Sequence, residues 1–216
     1  MSHPDPAETD SILALSDLNS ASALESLLVL LFEPSPALTN LLVPSVLLRL
    51  TARSDPPASY NELVDICEGV VKEQWTWDEK AEFVGGHPMI GEVKGLSRLS
   101  GKEQGGLVPT RKVVLDRLAH LNQLYCKIYP GLRYITFVNG RPRSAIIPEM
   151  ESVLSLPVSP EPLPDDYLTD QPALDSEEVK SKIKSTESEK WKSECERALG
   201  DVWLIGRARL KGLGLQ

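Results

Sequence analysis

The sequence lacks a long hydrophobic run and a cluster of basic residues. Its longest strongly apolar stretch, residues 27–32, is far shorter than the roughly 20 residues of a membrane-spanning helix. We therefore expect no membrane span. The formal net charge is −8, and phosphate binding needs clustered Lys and Arg. Without such a cluster, we expect no binding of nucleic acid.

Cysteines are also few. Cys67, Cys126 and Cys195 are the only three, and they are widely spaced. This excludes a disulfide framework and a CxxC zinc site, and it suits a reducing compartment. Residues 1–10 lack the basic cluster of a secretory or mitochondrial signal, and residues 213–216 do not match a peroxisomal Ser-Lys-Leu ending. We therefore expect a cytoplasmic protein.

What is present is ordinary for a globular protein. The chain has 216 residues, of which 41% are hydrophobic and 25% charged, enough to bury a sizeable core. We predict one domain over residues 11–212, preceded by a flexible stretch of residues 1–10.

Helix-capping signals recur along the chain. A Ser or Thr followed three residues later by Glu has the spacing of a capping box, and this occurs at Ser22, Ser59 and Thr76. Apolar residues at helical intervals follow each of them. Thr110 is the expected cap of a longer helix, whose predicted apolar face consists of Val114, Leu118, Leu121, Tyr125 and Ile128. These patterns predict an all-α fold.

Two stretches depart from the helical pattern. Residues 134–147 contain Asn139-Gly140, a strong turn signal, and predict either an extended segment or a small hairpin. Residues 157–172 are rich in proline and acidic residues. They predict a surface linker or partly disordered insertion that reaches to about residue 175.

His87 is the histidine best placed for chemistry. It follows Gly85-Gly86 and precedes Pro88, which biases His87 toward an extended conformation. An imidazole with an ordinary pKa of about 6.5 suits proton transfer at neutral pH. The alternative interpretation is a histidine in a surface loop before a turn proline, and on either view we do not expect His87 in the core.

A second candidate group is Ser100-x-x-Glu103-Gln104, followed by Gly105-Gly106. The simpler interpretation is a further capping box, with Ser100 as the cap. The two glycines favour a different view, because they weaken a helix and suit close approach of a ligand to the backbone. A hydroxyl, an amide and free helix N–H groups also suit an anionic or ureide-like ligand.

The C-terminal helix places one arginine on its apolar face. Helix is predicted to resume near Ser176 and to continue, with a break near Ser185, to about Leu210. Apolar residues recur on one stripe: Trp191, Cys195, Ala198, Val202 and Ile205. Arg209 continues the stripe and should point inward, whereas Arg207 should face away. The alternative is a frayed end from which Arg209 extends its guanidinium to water.

Together these pieces resemble the 2-oxo-4-hydroxy-4-carboxy-5-ureidoimidazoline (OHCU) decarboxylases, which are all-α enzymes. The resemblance covers about residues 18–150 and 187–212. The matching pieces, in order, are Leu18-Asn19, Phe32-Glu33-Pro34-Ser35-Pro36, His87-Pro88, Ser100-x-x-Glu103-Gln104, Leu121-Asn122-x-x-Tyr125, Gly131 to Ile135, Asn139-Gly140 and Arg207-Ala208-Arg209-Leu210. Each piece is short, and their shared order makes the match specific.

The resemblance implies roles for particular residues. It makes His87, Glu103 and Arg209 catalytic. The substrate-binding residues that it implies are Pro88, Ser100, Gln104, Gly131, Leu132, Tyr134 and Ile135. The family's Gly-Phe-Pro-Phe strip falls here on Gly131-Leu132-Arg133-Tyr134, which marks a divergent member.

The resemblance also implies the reaction. OHCU would be decarboxylated to S-allantoin in urate breakdown, without a cofactor and with the ureidoimidazoline as the partner. It leaves a peroxisomal location and a homodimer open. A metal centre is not expected, because His87 and Glu103 have no third ligand nearby in the sequence. Two alternatives remain: a non-catalytic helical interaction protein with this fold, and a hydrolase of a related ureide.

Overall fold

The computed structural model describes residues 14–92, 97–104 and 109–215, without the side chains of residues 102–104. In these ranges the regular elements are helices and no strand occurs, which confirms the all-α prediction. The α-helices are α1 (Ala21–Phe32), α2 (Val43–Thr51), α3 (Tyr60–Gln74), α4 (Trp77–Gly85), α5 (Arg98–Gln104), α6 (Lys112–Ile128), α7 (Ile146–Val153), α8 (Glu177–Lys182) and α9 (Glu189–Gly212). A π-helical segment, Leu38–Leu42, precedes α2. None of these helices is both long and apolar enough to cross a membrane.

Two of the predicted N-caps are confirmed. The Ser59 hydroxyl accepts the Glu62 N–H at the start of α3. At the start of α4, Thr76 and Glu79 form both halves of a capping box. Each pair satisfies backbone donors that the first helical turn leaves without a partner.

The other two predicted caps are wrong. α1 is capped by Ser20, whose extended backbone lets its hydroxyl accept from Ala23 N–H, so Ser22 already lies inside the helix. α6 follows Arg111, which makes no side-chain cap. The Thr110 hydroxyl instead faces Arg143, whose Nη1 lies 3.4 Å away.

Residues 134–142 contain no strand, and residues 139 and 140 form a turn, so the hairpin alternative is wrong. Asn139 and Gly140 both have positive φ, of 49° and 75°. The Arg141 backbone N–H closes the turn on the Val138 carbonyl at 3.0 Å, and its guanidinium donates to the carbonyls of Phe137 and Val138. The chain after the turn enters a 3-10 helix, Arg143–Ala145, and then α7.

The proline-rich segment of residues 157–172 has no helix or strand, but it is anchored on α6 and α7. Glu151 of α7 pairs with Arg117 of α6 at 2.7 Å, and both side chains are buried. The same carboxylate accepts the Ser159 N–H at 2.7 Å. Near the other end of the segment, His120 Nε2 lies 2.9 Å from the Pro172 carbonyl oxygen. The buried Glu151 carboxylate needs charged and hydrogen-bonding partners. One of these partners, Ser159, belongs to the segment, and together with the contact at Pro172 it holds the segment at both ends.

The described residues fall into two compact units. One contains the residues up to Gly86 and those from Gly200 onward, and the other runs from His87 to Leu199. The first unit has an aromatic core in which Phe32 meets Trp203 edge to face, with ring centroids 5.2 Å apart. Phe83 joins the cluster at 5.9 Å from Phe32.

The second unit is built around α6. The residues of α6 predicted to form its apolar face are buried: Val114, Leu118, Leu121, Tyr125 and Ile128. The first part of α9 lies in this unit, where the Trp191 indole N–H donates to the Pro130 carbonyl at 2.9 Å. The predicted single-domain boundaries of residues 11–212 stay a prediction.

Candidate functional site

His87 follows Gly86, the residue that ends α4, and its side chain is buried. It is 2% exposed, so the surface-loop interpretation is wrong, as is the expectation that His87 lies outside the core. Pro88 is half-buried. A buried imidazole is shielded from bulk water, which is the setting in which a proton-transfer group acts on a bound ligand.

Ser100 lies inside α5 and does not cap it. The cap is Ser97, whose hydroxyl accepts the Ser100 N–H at 3.1 Å. The interpretation of Ser100 and Glu103 as a capping box is therefore wrong. The Ser100 residue is 3% exposed, a burial that a cap at a solvent-facing helix start would not require.

Glu103 and Gln104 belong to the last turn of α5. Positions 100, 103 and 104 recur at the three- and four-residue spacing that shares one face of a helix. The side chains of both residues lie outside the described part of the structure, as do Gly105 and Gly106. Their predicted contacts with a ligand stay predictions.

The strip from Gly131 to Ile135 follows α6 and contains no helix or strand. Gly131 is exposed with a φ of +85°, whereas Leu132, Tyr134 and Ile135 are buried. The Tyr134 ring stands edge to face with Tyr125 at 5.3 Å. Its backbone position is therefore fixed by packing, although the ring replaces a phenylalanine of the family pattern.

Arg197 of α9 also contacts this strip. Its guanidinium lies 5.1 Å from the Tyr134 ring centroid, and Nη1 donates to the Ile135 carbonyl at 2.9 Å. Ile135 is one of the predicted substrate-binding residues, and its carbonyl oxygen already accepts a hydrogen bond from Arg197.

A buried carboxylate, Glu194, bonds to both Tyr125 and Arg197. Glu194 accepts the Tyr125 hydroxyl at 2.8 Å and pairs with Arg197 at 2.8 Å. Burial raises the pKa of Tyr125 far above its ordinary value, and the Glu194 charge raises it further. Tyr125 therefore stays a neutral hydrogen-bond donor, and it does not serve as a base.

The predicted apolar stripe of α9 is buried along its length, and Arg209 is buried with it. Arg209 is 4% exposed, so the alternative of a side chain that reaches out to water is wrong. The guanidinium pairs with Glu33 at 2.8 Å. Its Nη1 also donates to the carbonyls of Leu30 and Leu31, at 3.1 and 3.4 Å, in the last turn of α1.

Arg207 has different surroundings. Its side chain is 31% exposed and pairs with Asp65 at 2.8 Å and Glu68 at 3.3 Å, both on α3. Exposed pairs of this kind contribute little to stability. The contrast with Arg209 agrees with the predicted register of α9.

Glu33 is a buried residue whose role the sequence pattern does not indicate. It is 5% exposed and has a φ of 64°. A buried arginine needs a carboxylate partner. The predicted inward direction of Arg209 therefore indicates that such a partner exists. The sequence does not say which of its 31 acidic residues that partner is.

The described residues contain no group of three His, Cys, Asp or Glu side chains arranged to hold a metal ion.

Comparison with known proteins gives one match. A family model described as OHCU decarboxylase matches residues 18–161. This range includes Glu33, His87, Ser100 and the strip that follows α6. Neither the curated proteins nor the solved structures give a significant match.

Proposed function

The chain belongs to the OHCU decarboxylase family, and from this premise we propose that it decarboxylates OHCU to S-allantoin as a carboxy-lyase of urate breakdown. The observation that supports the proposal most directly is the burial of His87 and Ser100. Both are polar residues of the family pattern, and they are 2% and 3% exposed. Polar side chains such as histidine and serine are rarely buried for packing alone.

The proposed chemistry needs positioning more than a strong reagent. The substrate carries its carboxylate on a carbon that also bears a hydroxyl and adjoins a ring C=N. When the bond to the carboxylate breaks, CO2 leaves, and the electron pair forms a C=C bond to the imine carbon while the imine nitrogen takes up a proton. The hydroxyl then loses its proton and becomes the ring carbonyl, and one proton adds to the former imine carbon, which is the stereocentre of allantoin. An enzyme lowers the barrier by orienting the carboxylate and stabilising the charge that develops on the ring.

We assign the proton transfer to His87. An imidazole can take the hydroxyl proton or protonate the carbon, and delivery to one face gives a single enantiomer. The backbone on either side of His87 limits its motion, because α4 ends just before it and Pro88 has a fixed φ. Glu103, Ser100 and Gln104 are proposed to bind the ureido group or to orient the imidazole.

Arg209 is proposed to hold an anionic group of the substrate through its planar guanidinium. This assignment rests on the sequence pattern. Its Nη1 already donates to α1 and its charge is balanced by Glu33. A substrate anion would therefore have to compete with, or share the guanidinium with, that carboxylate.

The test is a coupled assay. OHCU is labile, so it is generated in situ and the circular dichroism of the product is followed. We expect allantoin to form faster than in buffer and with one enantiomer in excess. Racemic allantoin at the spontaneous rate would favour the alternative of a non-catalytic helical protein. Consumption of OHCU without release of CO2 would indicate a hydrolase.

A further inference from the structure

The chain after His87-Pro88 makes a tight turn at Met89–Glu92. The Glu92 N–H donates to the Met89 carbonyl at 3.3 Å, and Gly91, the third residue of the turn, has a φ of +90°. A positive φ at the third position is the mark of a type II turn. The orientation of the central peptide, between Ile90 and Gly91, distinguishes this turn from type I.

Asn122 of α6 bonds to that central peptide. Its Nδ2 donates to the Ile90 carbonyl at 2.9 Å, and the residue is 6% exposed. The Asn122 Oδ1 accepts no hydrogen bond from any described residue. Within the described ranges, the Asn122 amide therefore makes one hydrogen bond, to the Ile90 carbonyl. This bond favours the type II turn over type I.

Leu118, one helical turn before Asn122, meets the same turn of the chain. A Cβ added at Gly91 would lie 3.2 Å from the Leu118 Cβ, which is closer than nine in ten real Cβ contacts. The backbone at residue 91 therefore lies close against α6. The positive φ favours glycine there, and a larger residue would also have to displace Leu118.

From this geometry we propose that Asn122 is a positioning residue for His87. Only Pro88 separates His87 from the turn that Asn122 holds, and proline has a fixed φ. A change in the Ile90 carbonyl orientation is therefore passed along two residues to the buried imidazole. The kinetic consequence of this inference rests on the proposed function, whereas its structural consequence does not.

The test compares Asn122→Leu and Asn122→Asp with Gln123→Leu as the matched control. Both Asn122 variants remove the donor to Ile90, and aspartate keeps the shape of the side chain. Gln123 is the exposed next residue of α6. The readout is the Cε1–H NMR signal of His87. With three histidines in the chain, His87→Asn identifies this signal, and His120 serves as an internal reference.

We expect the His87 signal to move in both Asn122 variants, while the His120 signal and the Gln123→Leu spectrum stay the same. We also expect kcat to fall at least tenfold with KM changed less than threefold. If Asn122→Leu does not fold, the result for Asn122→Asp decides.

An unmoved His87 signal in a folded Asn122 variant would overturn the inference, as would an equal shift in Gln123→Leu. The NMR result separates this inference from the proposed function. If the wild-type protein produces no allantoin but the signal still moves, the proposed function fails and the role of Asn122 stands.

Discussion

Glu33 and Arg209 form a buried ion pair at the C-terminal end of α1, with 2.8 Å between Oε1 and Nη2. Glu33 is the residue that ends α1, and Arg209 also donates to two carbonyls of the last turn of that helix. A cation is favoured there, because the C-terminal carbonyls carry partial negative charge. Arg209 therefore has a structural role besides any contact with substrate.

The two arginines of α9 give the first prediction. Arg209→Lys keeps the charge but loses the planar fork that reaches Glu33 and α1 together. We expect at least a tenfold loss in kcat/KM and a loss of about 1–3 kcal/mol in the free energy of unfolding. Arg207→Lys should change each by little, because its pairs are exposed. Steady-state kinetics and urea unfolding measure both quantities, and the reverse ranking would contradict the assigned register.

His87→Asn gives the second prediction. We expect turnover to fall by about 100- to 10,000-fold, the usual effect of removing a general acid or base. Because His87 is buried, its substitution should also lower the stability of the fold. An exposed loop residue could be replaced at little cost. We now expect the melting temperature to fall by several degrees. Turnover near the wild-type value in the folded variant would remove His87 from the catalytic role.

Glu103→Gln gives the third prediction. Because Ser97 caps α5, Glu103 is not needed for a capping box at Ser100. We expect turnover to fall by at least 100-fold, as for a carboxylate in the catalytic set, and the melting temperature to stay unchanged. Assay and thermal unfolding of the same preparation check this. Equal turnover in the two proteins would show that the carboxylate has no part in the reaction.

Two glycines of α9 give the fourth prediction, which concerns stability alone. A Cβ at Gly206 would lie 2.3 Å from Cε1 of Phe32, whereas a Cβ at Gly200 would meet nothing within 4 Å. We expect Gly206→Ala to destabilise the protein by about 1–3 kcal/mol through overpacking. Gly200→Ala should stabilise it by about 0.5–1 kcal/mol, because alanine favours the helix. Opposite signs in urea unfolding are the expected outcome, and two stabilising changes would mean that Phe32 moves freely.

The Arg209 register and the caps at Ser59 and Thr76 could be predicted because they depend on residues three or four positions apart. Helical periodicity alone placed Arg209 on the buried stripe of α9. The cap at Ser97 could not be predicted from the capping-box pattern, because Ser100 follows it by three residues, whereas Ser100 itself has Glu103 at that spacing.

The sequence alone therefore determined the helical class, most helix positions, the inward direction of Arg209 and the family resemblance. Only the tertiary structure decided that His87 is buried, that Glu33 pairs with Arg209, and that the chain after Asn139-Gly140 enters helix and not a second strand. Helical periodicity and capping depend on residues three or four positions apart, so the local sequence is enough to predict them. The partner of a buried charge is set by which distant segments pack together, and many acidic residues satisfy the same local rules.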